Sequence, residues 1–206
     1  VCTILGVVIE RLAYRPLREA PSLAVLITAI GVSYLLQQVA QLSWSSNPKS
    51  FTSVVSGMKP VSLFGGQLTI SAETIVTIVA CVVIMVVLMW FVNYTPAGHA
   101  MLAVSEDRGA AQLMGVNVNG TISLTFAIGS ALAAIAGALL CSSYPTLQPT
   151  TGAMPGIKAF VAAVFGGIGS IPGAFVGGIL LGIIENLSKA YISTQLSDAI
   201  VFLVLV

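Results

Sequence analysis

The sequence predicts an all-α fold, a polytopic helical membrane protein, and two observations carry that prediction. Of 206 residues, 57% are hydrophobic and only 7% are charged. A soluble domain carries about a quarter charged residues, so this chain cannot cover a water-facing surface. The mean hydropathy of +1.02 is not spread evenly. It gathers into apolar runs of about 20 residues, the length that crosses a hydrocarbon core of roughly 30 Å as a helix. A formal net charge of +1 offers no basic patch for nucleic acid. Cys2, Cys81 and Cys141 lie far apart in apolar runs, without zinc or disulfide spacing, and are expected to serve as small apolar filler.

Residues 1–9 form the tail of a helix, and 198–206 the start of one, so both ends are expected to be cut from a longer chain. The first helix runs into E-R-L-A-Y-R-P-L-R, where Arg11, Arg15 and Arg18 form the densest cationic loop. The positive-inside tendency puts that loop in the cytoplasm. Residues 22–42 span the membrane. Tyr34, Gln38 and Gln41 repeat at i, i+4, i+7 with Gln37 beside them, so they share one face. That face is expected either to hydrogen-bond a neighbouring helix or to line a wet translocation path.

Residues 43–73 form a polar loop on the side opposite the arginines. Within it, Val61–Phe64, Gly65-Gly66 and Gln67–Ile70 predict a small β-hairpin. Residues 74–92 span back. Residues 121–141 cross again and carry two small-residue seams, Gly129, Ala133, Gly137 and Ser130, Ala134, Ala138, for close helix approach. Residues 157–165 are too short to cross and end in G-G-I-G-S-I-P-G, which predicts a broken half-helix near 157–173. Residues 174–187 then climb back with Ala174, Gly178 and Gly182 four apart.

Between two spans lies the segment 98–120, G-H-A-M-L-A-V-S-E-D-R-G-A-A-Q-L-M-G-V-N-V-N-G. Glu106, Asp107 and Arg108 cannot sit in hydrocarbon without a cost of roughly 2.5–3.5 kcal/mol each. Met101, Leu102, Val104, Leu113 and Met114 make it too apolar for a free linker. A short helix at the membrane surface, pressed against a partner, satisfies both facts.

Little else suggests chemistry. His99 is the only histidine, with no triad partner at a suitable spacing, and no phosphate-binding glycine loop occurs. Glu185, near the end of its helix, is expected to be an interfacial or snorkelling carboxylate rather than the alternative, an ion or proton site. Lys158 is expected to anchor the start of a half-helix at the outer boundary. No cofactor, no metal site and no catalytic residue is expected.

Several ordered stretches resemble the permease subunits of branched-chain amino acid ABC importers, the bacterial high-affinity leucine/isoleucine/valine system. They are residues 10–18, L-I-T-A-I-G-V-S (26–33), S-E-D-R-G-A-A-Q-L-M-G-V-N-V (105–118), T-F-A-I-G-S-A-L-A-A-I-A-G (125–137), and G-I-K-A-F-V-A-A-V-F-G-G-I-G-S-I-P-G-A-F-V-G-G (156–178). The resemblance implies an ABC importer permease fold over 1–206 and a periplasmic place for the β-hairpin. It also implies a bacterial inner-membrane location and a transporter subunit rather than an enzyme. Its partners would be ABC ATPase subunits, a second permease subunit, a periplasmic substrate-binding protein and the bilayer.

The resemblance also gives the segment 98–120 a role. Importers of this kind carry a cytoplasmic E-A-A-x-x-x-G helix that seats in a groove of the ATPase. Ala110, Ala111 and Gly115 match its A-A-x-x-x-G part, while Gly109 stands where the glutamate belongs. The implied coupling set is Gly98, His99, Ala100, Met101, Ser105, Glu106, Asp107, Arg108, Gly109, Ala110, Ala111, Leu113, Met114, Gly115 and Asn117. Glu106 or Asp107 would then supply the acidic contact. The alternatives are the same architecture carrying urea or amides, or an ion-coupled secondary transporter with inverted repeats and ion sites at broken helices.

Overall fold

The structure, a computed structural model, describes residues 1–17, 20–50, 61–63, 68–144, 146–191 and 196–203. Arg18, the predicted turn Gly65-Gly66 and the flanking Phe64 and Gln67 lie outside the described residues. The first half of the chain gives α1 (Cys2–Ile9), a π-helical turn (Glu10–Tyr14), a 3-10 turn (Arg15–Leu17), α2 (Ser22–Trp44), β1 (Lys49–Ser50), β2 (Val61–Leu63), β3 (Leu68–Ile70) and α3 (Ala72–Tyr94). The second half gives α4 (Pro96–Glu106), α5 (Arg108–Leu113), α6 (Val118–Ser143), β4 (Thr146–Leu147), α7 (Ala153–Phe165), α8 (Ile171–Tyr191) and α9 (Ser197–Leu203).

Among the described residues four helices are long and apolar enough to cross a membrane: Leu23–Trp44, Ala72–Tyr94, Val118–Ser143 and Ile171–Tyr191. The chain is therefore a multi-pass helical protein with a small hairpin. β2 and β3 pair antiparallel with Val61 opposite Ile70 and Leu63 opposite Leu68. A second pair was not expected: β1 and β4 lie antiparallel, Lys49 opposite Leu147 and Ser50 opposite Thr146.

The described chain divides into two compact units, 1–80 with 90–150, and 81–89 with 151–206. In the first unit, α1 packs along α6. A Cβ on Gly6 would overlap the Ser130 hydroxyl, so the helices approach as closely as glycine allows. Tyr14 and Phe126 stack at a tilt with ring centroids 5.0 Å apart. Between these two contacts Glu10 is wholly buried, and the Ser123 hydroxyl donates to its Oε2 at 2.8 Å. The face of α6 toward α1 is thus Ser123, Phe126 and Ser130. Of the two predicted seams, only the one containing Ser130 meets a partner here; nothing described lies within 4 Å of a Cβ built at Gly129 or Gly137.

In the second unit, α7 and α8 form a tight antiparallel hairpin. The predicted break is its turn. Gly167 and Gly169 have φ of +92° and +97°, a region L side chains avoid. Ser170 ends the turn by accepting from the backbone N–H of Gly173, while Pro172 fits the fixed φ of a first helical turn. For that reason α8 begins at Ile171, not at 174 as expected; α7 begins at Ala153, not at 157, with Gly152 at its N-terminal end. The contact face is also shifted by one residue. A Cβ on Gly173 would overlap the Gly166 carbonyl, and one on Gly177 would lie 2.6 Å from the Ala162 carbonyl, while Gly178 and Gly182 face open space. Gly173, Gly177 and Leu181, at i, i+4, i+8, are the side toward α7. Val161, Ala162, Leu181 and Val201 form the small core that also receives α9.

Candidate functional site

The segment 98–120 is not one surface helix but two, α4 and α5, followed by the first turn of α6, and each junction has a local cause. Thr95 is extended (φ −105°, ψ 148°) and caps α4. Its hydroxyl accepts from Gly98 N at 3.1 Å and donates to Phe91 O at 2.6 Å, with Pro96 at the first helical position. Gly98 is required there, because a Cβ would strike the Val92 carbonyl at the end of α3. His99 Nδ1 lies 2.9 Å from the Thr95 carbonyl, so it donates its proton to it. Ser105 donates back to Leu102 O, closing the last turn.

Asp107 makes the second joint. Its extended backbone (φ −148°) ends α4, and its Oδ1 accepts from Gly109 N at 2.7 Å and Ala110 N at 3.1 Å to start α5. Gly115, at φ +85°, ends α5. Val116 N–H bonds Ala111 O, and Gly115 N–H bonds Gln112 O, both at 3.0 Å, the paired closure of a Schellman turn. Asn117 then caps α6 by accepting from Gly120 N.

These caps sort the segment into an inner and an outer side. Val104 and Ala111 are buried where α4 and α5 meet α6. Met101 and Ala100 are half-buried; Glu106, Asp107, Arg108, Gly109 and Ala110 lie on the outside. Leu113 is 90% exposed and Met114 84% exposed, adjacent at the turn from α5 to α6. Two large apolar side chains are thus held clear of their own chain by a turn with fixed hydrogen bonds. Ala111, one alanine of the pair, serves packing against α6, and the other, Ala110, faces out.

The residues of the predicted path stay on α2. Tyr34 and Gln38 are exposed, Gln37 and Gln41 half-buried, and Gln37 Nε2 donates to Ser33 Oγ at 3.4 Å. The structure does not bring them to the hairpin of α4 and α5.

Sequence reasoning took Lys158 and Glu185 singly, but the structure joins them. Lys158 Nζ lies 2.8 Å from Glu185 Oε1 and 2.8 Å from Asp198 Oδ1, and Lys189 pairs with Glu185 at 2.5 Å. One cation on α7 thereby ties α8 to α9. Glu10 was also missed as a functional candidate. Its signal was a carboxylate immediately after an apolar helix, overshadowed by the three arginines that follow. Among the described residues no group of His, Cys, Asp and Glu gathers in a way that would hold a metal ion.

A family model described as a branched-chain amino acid transport system permease component matches residues 1–206. The chain belongs to this permease family. It is 43% identical over 201 residues to the high-affinity branched-chain amino acid transport system permease protein LivH of Escherichia coli K12, covering 96% of this chain and 65% of that protein. It is 41% identical over 206 residues to the corresponding protein BraD of Pseudomonas aeruginosa, covering 98% of this chain and 66% of that one. A more distant relative is the fructose import permease protein FrcC of Rhizobium meliloti, 32% identical over 130 residues, with 60% of this chain and 36% of that protein covered. This permease chain thus spans about two thirds of the length of its nearer relatives. No solved structure matches it.

Proposed function

We propose that the chain is the translocating part of a permease subunit in an ATP-driven importer of branched-chain amino acids. It would work in the cytoplasmic membrane of a bacterium, beside a second permease subunit. The supporting facts for the substrate are the family and relatives above 40% identity, LivH and BraD among them, that carry branched-chain amino acids in their names. A periplasmic binding protein would deliver the substrate to the side carrying β1 and β4, and ABC ATPase subunits would dock on the side carrying α4 and α5. The α2 face of Tyr34, Gln37, Gln38 and Gln41 offers neutral hydrogen-bonding groups, suited to weak, transient contact along a path.

One observation carries the docking proposal: Leu113 and Met114 stand 90% and 84% exposed at the end of α5, where a hydrogen-bonded turn leads into α6. An apolar anchor entering a pocket is the usual centre of a protein interface. The preorganised turn lowers the entropy lost on binding. Asp107 is engaged as the cap of α5, which leaves Glu106, at the end of α4, as the carboxylate offered to the partner in place of the motif glutamate that Gly109 lacks.

The test is Leu113→Asp in the full-length protein, co-expressed with its ATPase, companion permease and binding protein. Retention of the ATPase on purification is expected to fall about thirtyfold, the scale of one lost hot-spot residue, together with leucine uptake. Unchanged retention and unchanged uptake would sink the docking proposal. Uptake of urea or fructose, but not leucine, by the unaltered complex would overturn the substrate.

A further inference from the structure

We propose that Glu10 is a positioning residue that makes α1 follow the coupling hairpin, through its bond to Ser123 at the base of α6. The proposal rests on the importer function given above. It concerns how movement at the docking hairpin reaches the membrane helices, which neither the family nor its named relatives specify.

Glu10 has no solvent exposure, although it is one of only seven acidic residues in the chain. Burying a carboxylate is costly unless its oxygens are hydrogen-bonded, so the position needs a reason. Ser123 supplies part of it, donating to Oε2 at 2.8 Å across 113 residues of sequence. Ser123 is also close to the hairpin: it lies six residues after Asn117, the cap that joins α5 to α6, or about 9 Å along the axis. A tilt of α4 and α5 therefore reaches Ser123 within two turns of one helix.

On the other side of the bond stands a backbone irregularity. Glu10 opens the π-helical turn, with Arg15 N–H bonding the Glu10 carbonyl. Such turns hold one residue more than an α-turn and recur at functional sites. Conversion to a regular α-turn shifts the register by one residue, which rotates a side chain about 100° around the axis. Glu10 would then leave Ser123. The π-turn and its regular α-helical alternative would be two discrete arrangements of one element, the kind that coupling requires. The Glu10–Ser123 bond would favour the arrangement present here. The close approach of Gly6 to Ser130 and the Tyr14–Phe126 ring pair prevent α1 from sliding along α6 instead. The hairpin, α6 and α1 would accordingly move as one body when the ATPases close.

The test uses the full-length complex reconstituted in proteoliposomes, with Glu10→Gln, Glu10→Leu and Ser123→Ala. Glu10→Gln keeps a hydrogen-bonding group of the same size and is expected to transport within about twofold of wild type. Glu10→Leu and Ser123→Ala are expected to keep ATPase subunits bound and ATP hydrolysis running, while leucine transported per ATP falls about tenfold. Spin labels at positions 5 and 112, in a cysteine-free background, add a readout that a purely structural role would not move. Their separation should stay constant through the nucleotide cycle in the parent and change with nucleotide in Ser123→Ala. Unaltered transport per ATP in Ser123→Ala, or a label separation that already changes in the parent, overturns the proposal. If Glu10→Leu does not assemble, Ser123→Ala, which removes a single hydroxyl, decides alone. A parent complex that neither retains its ATPase nor transports would instead refute the importer function, leaving the two failures distinct.

Discussion

Two glycines of the hairpin look alike in sequence and differ in what they forbid. Gly98 is held by space: any Cβ meets the backbone of Phe91 and Val92 at the end of α3, which cannot swing aside as a side-chain tip can. Gly115 is held by dihedral angle: nothing lies within 4 Å of its Cβ position, but its φ of +85° is unfavourable for L residues. Gly115→Ala is therefore expected to cost about 1–2 kcal/mol and leave the hairpin formed. Gly98→Ala should displace α4 from α3 and reduce both folding yield and ATPase retention severely. Thermal unfolding in detergent, with retention measured in parallel, checks this order, and a Gly98→Ala protein more stable than Gly115→Ala would contradict it. The different roles of the two were partly legible. Gly115 follows a helical run as an end signal should. The clash at Gly98 depends on the angle between α3 and α4, which no local pattern encodes.

At the scale of elements, the ion cluster of α7, α8 and α9 has a measurable consequence. Lys158 is 25% exposed, Glu185 20% and Asp198 39%, so each pair is partly screened and worth about 1 kcal/mol or less. Lys158→Met breaks two pairs at once and leaves two carboxylates facing each other. Glu185→Gln leaves the Lys158–Asp198 pair intact. The first is expected to lower the unfolding midpoint in detergent more than the second, and to expose α9 to added protease. Equal midpoints would show that the ion cluster adds nothing measurable to the apolar seat of α9, where Val201 is buried and Phe202 packs against the core. Helix existence was readable because a span of about 20 apolar residues has few other uses. Helix ends were less so. The start of α8 was placed three residues late because G-S-I-P-G suggests irregular chain, whereas Ser170 and Pro172 make it a cap. The side chains that tie helices together were the least legible. Periodicity names the face of a helix but not the partner residue, and the partners here lie 27 and 113 residues away.

For the molecule as a whole, the pairing of β1 with β4 constrains topology. Between these strands lie α3 and α6, each long and apolar enough to cross a membrane, and two crossings would return the chain to the same side. The pair agrees with that order of spans, which predicts α4 and α5, after a single crossing, on the other side. Cysteines at positions 49 and 112 in a cysteine-free chain should react with an impermeant maleimide from opposite faces. A double variant at 49 and 147 should form a disulfide in membranes, since directly paired residues hold their Cα atoms about 4.5–5.5 Å apart. Labelling of 49 and 112 from the same face would refute the arrangement. Much of the remaining surface is apolar: Leu23, Ile27, Ile78, Val79 and Trp90 are among many large side chains left exposed. Lipid and companion helices are the surroundings that such a surface fits.

The bond between Glu10 and Ser123 also has a history in time. A ribosome adding about 5–20 residues each second delivers Ser123 roughly 6–23 s after Glu10, since 113 residues separate them. Throughout that interval the carboxylate of Glu10 has to be kept solvated or held by other groups. Helix α1, made before α6, reaches its final seat only after α6 has been threaded into the membrane. A helix made well before α6 is in this respect settled only together with it.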